Sequence, residues 1–312
     1  MTTFEFDVPA TCAHLGPGFG VLGLAVNLSL NITVEEIKSG GFEVVREGVM
    51  SHEPKDPRHD GILRALNAAS ERFDIKLPGG LQITARNNIP AFSGLGTNSA
   101  AFAAGLGIAC HYATQQPGAD ALLDLLVHLG GTPAHSGAAL YGGLVAVCPV
   151  QTPQQNVQHL VLRFALADSW HFVIARPDHH IGAAEAVRLL PANVPHGVIK
   201  RTSGRLLGLL HALSVGDVEL LRNCLVDEVH VPYRRKLVPG VNRALRAIEE
   251  GTIAGATISG AGPAIVLFTK SEDDAAQSAD TLQAAFDEVS VPVEILRLRG
   301  TQHGAIPDDP TR

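Results

Sequence analysis

The segment Asn88-Ile-Pro-Ala-Phe-Ser-Gly-Leu-Gly-Thr-Asn-Ser-Ala-Ala-Phe102 constrains this chain more than any other stretch. Ahead of it, Leu81, Ile83 and Ala85 alternate with Gln82, Thr84 and Arg86, the period of a half-buried strand. Behind it, residues 100–113 are rich in Ala and predict a buried helix. Between them stand Gly94 and Gly96, followed by the small polar residues Thr97, Asn98 and Ser99. A strand, a glycine turn and a helix that opens with hydroxyls and an amide make an anion site. Glycine lets backbone approach a phosphate closely, and the free N–H groups of the first helical turn point at it. An ordinary turn capped by Thr97 or Ser99 is the alternative. No lysine follows the glycines, so the segment is not a P-loop.

At 312 residues, with 46% hydrophobic and 18% charged residues, the chain suits a soluble globular enzyme of one large or two medium domains. The net charge of −7 is spread along the sequence without a basic stripe, which argues against a nucleic-acid partner. Cys12, Cys110, Cys148 and Cys224 have no CxxC spacing, so free, mostly buried thiols in a reducing compartment are expected rather than disulfides or a zinc site. The N-terminus lacks a signal pattern, and no apolar run is long enough to span a bilayer; a cytoplasmic protein without a membrane partner is expected.

The polar, proline-bearing stretch at residues 149–157 marks a domain boundary near residue 155, giving domains 1–155 and 156–312. Beyond it, residues 170–175 predict a strand. Residues 203–213, 217–226 and 241–250 predict helices, the second capped by Asp217 and the third closed by Gly251. Two apolar runs flank Gly260-Ala-Gly-Pro263, then a helix over 273–288 and a strand over 291–298 complete the pattern. Strand pairs followed by helices predict an α+β protein, with helices on one face of mostly antiparallel sheets.

Three glycine-containing segments stand in order: Val8-Pro-Ala-Thr-Cys-Ala-His-Leu-Gly-Pro-Gly-Phe-Gly-Val-Leu-Gly23, Pro90-Ala-Phe-Ser-Gly-Leu-Gly-Thr-Asn-Ser99 and Ile258-Ser-Gly-Ala-Gly-Pro263. This ordered set resembles the three motifs of the GHMP small-molecule kinases, and the chain looks most like the homoserine kinases among them. Glu185-Ala-Val-Arg-Leu-Leu-Pro191 and Val231-Pro-Tyr-Arg-Arg-Lys-Leu-Val-Pro-Gly240 are similar to further signatures of that family, and the resemblance runs from about residue 5 to 300. It implies a two-domain α+β fold, with an N-terminal ATP-binding domain like domain 2 of ribosomal protein S5 and a ferredoxin-like C-terminal domain. It also implies phosphoryl transfer from ATP, with Mg²⁺, to an alcohol of a small-molecule acceptor; homodimers are common in the family. ATP contacts would come from Pro90, Ser93, Gly94, Leu95, Gly96, Thr97, Asn98 and Ser99, with Gly260 and Gly262 close to the same phosphates. Phosphoryl transfer depends on positioning and charge stabilisation, which a helix N-terminus, glycine amides and Mg²⁺ supply without a P-loop lysine.

The acceptor side departs from the family pattern. His14 stands where homoserine kinases have Asn, and Gly20 where they have the Asp that holds the substrate ammonium. Ala134 and His135 replace an Asp-Asn pair that contacts homoserine. Ala183 and Val187 replace a Thr and a carboxylate-binding Arg; Arg188 lies one place on, and Arg234 matches the second carboxylate-binding Arg. An ammonium without a carboxylate partner is costly to bury, so an amino-acid acceptor is disfavoured. His14 and His135 are candidates to hydrogen-bond a polyol or carboxylate, His135 also to take the acceptor proton; the alternative is that both are packing residues. On the nucleotide side, Thr97 and Asn98 occupy the family's Ser-Ser, with Asn98 and Asp124 as candidate Mg²⁺ ligands, Asp124 in place of a Glu. Gly61 stands in place of an adenine-contacting Asn, and Asp178-His-His180 reads as a loop feature. Three readings remain: a kinase acting like homoserine kinase, a kinase for a hydroxy acid or polyol, and a non-catalytic ligand-binding relative.

Overall fold

The computed structural model describes residues 2–38, 40–49, 56, 58–153, 156–249 and 254–306. The N-terminal domain runs β1 (Thr3–Ala13), β2 (Leu22–Glu36), β3 (Gly41–Gly48), α1 (Gly61–Phe73), β4 (Gly80–Asn87), α2 (Thr97–Tyr112), α3 (Ala119–His128), α4 (Pro133–Tyr141), β5 (Leu144–Gln151) and β6 (Val157–Phe164). Its sheet has the order β3-β4-β2-β5-β6, with β1 paired to β2; β3 and β4 are parallel and the other pairs antiparallel. Residue 155 itself lies outside the described residues. Because β6 pairs with β5 along its whole length, the first sheet runs on to Phe164, past the expected boundary. The edge strands β3 and β6 went unread in the sequence because an edge strand is half exposed on both faces and alternates weakly.

α1 forms because Asp60 caps it, accepting from the amides of Ile62 and Leu63, and because Ile62, Leu63, Leu66 and Ala69 make one apolar face. That face lies on α2, a helix buried almost all round and built largely of Ala and Gly. Contact is close enough that a Cβ on Gly105 would come within 2.2 Å of the Ile62 carbonyl oxygen, so only glycine permits it.

The C-terminal domain runs β7 (His171–Pro177), α5 (Ala183–Arg188), α6 (His196–Val215), α7 (Val218–Cys224), α8 (Val231–Arg234), α9 (Val241–Glu249), β8 (Gly255–Ile258), β9 (Ile265–Thr269), α10 (Glu272–Asp287) and β10 (Val293–Arg299). Its antiparallel sheet has the order β10-β7-β9-β8, a ferredoxin-like arrangement. Asp217 caps α7 through the Leu220 amide as expected, and the helix expected over 203–213 extends to His196–Val215. The proposed terminator Gly251 lies outside the described residues. After β10 the chain returns to the first domain: the amides of Ala305 and Ile306 donate to the carbonyls of Ala139 and Leu140. All four cysteines are free, and burial pushes the Cys12 and Cys110 thiols up to about 12, which makes both unreactive near neutral pH. No helix among the described residues is long and apolar enough to cross a membrane.

Candidate active site

The three glycine segments are pinned to one another by hydrogen bonds. The Thr11 amide donates to the Leu95 carbonyl (3.0 Å), the Gly260 amide to the Ala13 carbonyl (2.9 Å), and the Ser259 hydroxyl to the Gly94 carbonyl (2.8 Å). The Ala264 amide reaches Ser93 O, and the Gly16 amide reaches the Thr257 hydroxyl. Backbone at Gly94 and Gly96 takes φ of +79° and +76°, which glycine adopts without strain. The glycines matter for a reason other than the expected one. A Cβ on Gly96 would point at Thr11 Oγ1 (2.2 Å) and His135 Nδ1 (2.9 Å), and one on Gly94 at Ser259 O (2.4 Å). Their lack of a side chain therefore serves loop-on-loop packing as much as any phosphate.

Gly96 is the N-cap of α2, with no side-chain cap. The alternative of a turn capped by Thr97 or Ser99 is therefore corrected: both lie inside the first turn. The Thr97 hydroxyl donates to Pro90 O, which also accepts from Ser93 Oγ, and Ser99 is buried with its hydroxyl 3.3 Å from Ser136 Oγ. Ser99 thus offers a ligand only its backbone amide. Thr97 and the exposed Asn98 open onto a cavity of about 260 Å³, whose walls include Arg46, Gly61, Ile62, Ala101 and Phe102. Arg46 pairs there with Asp60, and the Arg64 guanidinium stacks 5.4 Å from the Phe102 ring centre. The sequence pointed to Gly61 in this wall but to none of the arginines, which come from β3 and α1.

On the other side of Gly96 lies a buried polar cluster. His135, on the first turn of α4, shares a 2.7 Å hydrogen bond between Nδ1 and Thr11 Oγ1, and a Cβ on Gly260 would lie 2.7 Å from its Nε2. Burial lowers its pKa to about 4, so the ring is neutral at pH 7. Gly260 is the hub, since Arg234 Nη1 donates to its carbonyl at 2.7 Å. Arg234 also lies 5.3 Å from the Phe19 ring centre, and its Nε is buried without a partner. Burial presses its pKa down to about 10, leaving the cation intact at neutral pH. His14, Phe19 and His230 pack around it with ring centres 5.0 to 5.6 Å apart, Phe19 stacked on His230 and His14 edge-on to the same ring. The Gly20 amide donates to His14 Nδ1 at 2.8 Å. Burial, with His230, His135 and Arg234 nearby, holds the His14 pKa well below the ordinary value.

His230 and Phe19 are the residues that sequence reasoning missed. His230 stands one position before the quoted Val231–Gly240 signature, and Phe19 lies inside the first motif. His230 Nδ1 is 2.9 Å from Asp227 Oδ2 but poorly aligned for a hydrogen bond, and Nε2 is buried without a partner. Burial lowers the His230 pKa despite the carboxylate beside it. Asp227 accepts from the amides of Val229, His230 and Val231. Burial alone would raise the Asp227 carboxyl, but these amides and His230 hold it below its ordinary value.

Two expected site residues stand apart. Asp124 Oδ1 accepts from both the amide and Nδ1 of His159 on β6, each at 2.9 Å, so its carboxylate is tied to the sheet edge. Val187 and Arg188 are exposed on α5, and no hydrogen bond or ion pair among the described residues joins Arg188 to the cluster. His180 packs edge-on against the exposed Phe92, 4.6 Å between ring centres.

Residues 60–143 match the GHMP kinases N terminal domain and residues 209–288 the GHMP kinases C terminal domain. The chain belongs to the GHMP kinases and is a phosphotransferase acting on a hydroxyl group of a small molecule. It is 30% identical to a homoserine kinase of Moorella thermoacetica over 96% of this chain and 98% of that protein. It is 31% identical to one from Synechococcus over 93% and 90%. In fold it is similar to a homoserine kinase of Cytophaga hutchinsonii (TM-score 0.85, 21% identity, 97% and 96% covered). It also resembles an L. major mevalonate kinase solved with R-mevalonate (TM-score 0.69, 16% identity, 97% of each chain).

Proposed function

We propose that this kinase binds the base and ribose of ATP in the cavity between α1 and α2, and its acceptor beside Gly260 in the histidine-arginine cluster. The observation that carries this reading is the placement of residues 96–98. Gly96 abuts Thr11 and His135 on one side, while Thr97 and Asn98 line the cavity on the other. The open amides at the start of α2 thus lie between a nucleoside-sized cavity and a buried acceptor cluster, where a triphosphate must run for transfer.

The residues fit the nucleotide. The helix start is uncapped, the cavity has apolar walls in Ile62 and Phe102, and Arg46 and Arg64 supply positive charge near it. Mg²⁺, which neutralises charge on the transferred phosphoryl group when bound, fits a donor set of the Thr97 hydroxyl and the Asn98 amide oxygen, completed by phosphates and water. Asp124, held through Oδ1 to His159 at the sheet edge, is left out of that set.

In the tautomer that donates Nδ1–H to Thr11, His135 keeps a lone pair on Nε2 and accepts the proton of the acceptor hydroxyl. His14 has one assignment only: its Nδ1 accepts from the Gly20 amide, so the neutral ring carries its proton on Nε2 and acts as a fixed donor. The test is thermal unfolding with Mg²⁺-ATP, which should raise Tm in the native chain but not in Ala101→Phe, where the added ring fills the cavity. An equal shift in both would place the nucleotide elsewhere.

A further inference from the structure

We infer that the acceptor is a small hydroxycarboxylate that carries no amine, its carboxylate bound by Arg234 and the Nε2–H of His14. This deepens the kinase reading above and rests on it. Arg234 is 3% exposed, carries a positive charge, has only the Gly260 carbonyl as hydrogen-bond acceptor among the described residues, and keeps an orphaned Nε. Leaving such a charged donor dry and unpaired is costly, so an anion is the ligand that relieves it. His14 points the same way, because a ring whose Nδ1 already accepts a backbone amide has only a donor left to offer.

An ammonium finds nothing comparable. Among the described residues the one carboxylate at the cluster is Asp227, whose side chain is 2% exposed and already accepts three backbone amides while facing His230. His230 Nε2 offers a single neutral lone pair, suited to a hydroxyl, with Arg234 close by. At residue 20 there is no carboxylate, although a Cβ there would meet nothing within 4 Å. At residue 134 the buried alanine has no polar side chain. A zwitterionic acceptor would therefore bring its ammonium into a site whose carboxylate is already engaged with backbone amides and with the field of Arg234.

Three four-carbon probes isolate each charge: 4-hydroxybutanoate, L-homoserine and butane-1,4-diol, titrated by calorimetry onto the full chain holding Mg²⁺ and a non-hydrolysable ATP analogue. The expected order is 4-hydroxybutanoate tightest, with homoserine and the diol each weaker by about tenfold or more. Gly20→Asp, which adds a carboxylate in open space at a φ of +75° that Asp tolerates better than most residues, should narrow the gap to homoserine about tenfold. Homoserine binding as tightly as 4-hydroxybutanoate, the diol doing so, or no probe binding at all would each overturn the inference. ADP release with the same probes and Mg²⁺-ATP separates the two claims. Best turnover on homoserine sinks the acceptor inference and leaves the kinase standing. The expected binding order with no ADP release from any probe keeps the ligand chemistry of the cluster and removes its placement as the acceptor site.

Discussion

The cavity beside α2 and the cluster around Gly260 lie on opposite sides of Gly96 and are built by opposite means. The cavity is open, borders a helix start whose amides are free, and offers a ligand backbone and the charged side chains of Arg46 and Arg64. The cluster is closed and nearly dry, and its polarity resides in fixed side chains: His14 is 7% exposed, His135 6% and Arg234 3%. An open site tolerates substitution because water repairs what is lost. A dry one cannot, so each group there sets what may enter.

Gly96→Val would break the comparison most severely. The added Cβ collides with Thr11 and His135 at a φ of +76°, so a loss of several kcal/mol, about 3 or more, is expected in urea unfolding even without nucleotide. A variant as stable as the native chain, deficient only in ATP binding, would restore the simpler view that Gly96 serves the phosphate alone.

Acid should weaken the cluster side next. His135 has a folded pKa of about 4 against 6.5 unfolded, so below pH 6.5 the unfolded chain binds the proton that the folded chain refuses. The stability tied to its neutral form is complete above pH 6.5 and is lost as pH falls to about 4, where the loss reaches roughly 3 kcal/mol. Denaturant midpoints at pH 7 and pH 4.5 should lie closer together in His135→Asn than in the native chain; an unchanged gap would assign the acid sensitivity to other groups.

Arg234→Met should separate function from stability. Turnover of an anionic acceptor should fall about 100-fold in kcat/KM, while Tm stays level or rises because a poorly paired buried cation is replaced by an apolar chain of similar length. A large drop in Tm would make Arg234 a structural strut for the Gly260 loop instead.

The smallest effect is expected at Asp124→Asn, whose contact with His159 is partly solvated and stabilises by about 1 kcal/mol at most. Any larger change in the Mg²⁺ concentration needed for half-maximal turnover would show that its carboxylate reaches the metal.

The strand, glycine turn and helix at residues 80–112 were legible because the signals are local: alternation, two glycines, then an Ala-rich run. Arg234 was legible for a different reason, since it sits in a segment with a recognisable signature. The edge strands β3 and β6 were not, because pairing on one side only demands no strong pattern. Nor was the tie between Asp124 and His159, residues 35 positions apart, or the packing of His14 and Phe19 against His230, which lies more than 200 positions further on. Nothing local requires those pairs to meet.

The sequence by itself determined the family, the α+β layering and the order of the three glycine segments, because each is encoded by neighbours within a few turns of chain. Only the tertiary structure decided what those segments do to one another. It turned the open side of Gly96 toward Thr11 and His135, fixed the His14 tautomer through the Gly20 amide, and left Arg234 Nε dry beside Phe19. Those facts depend on burial and on hydrogen bonds between distant segments. Solvent exclusion exists only once the two domains close around Gly260.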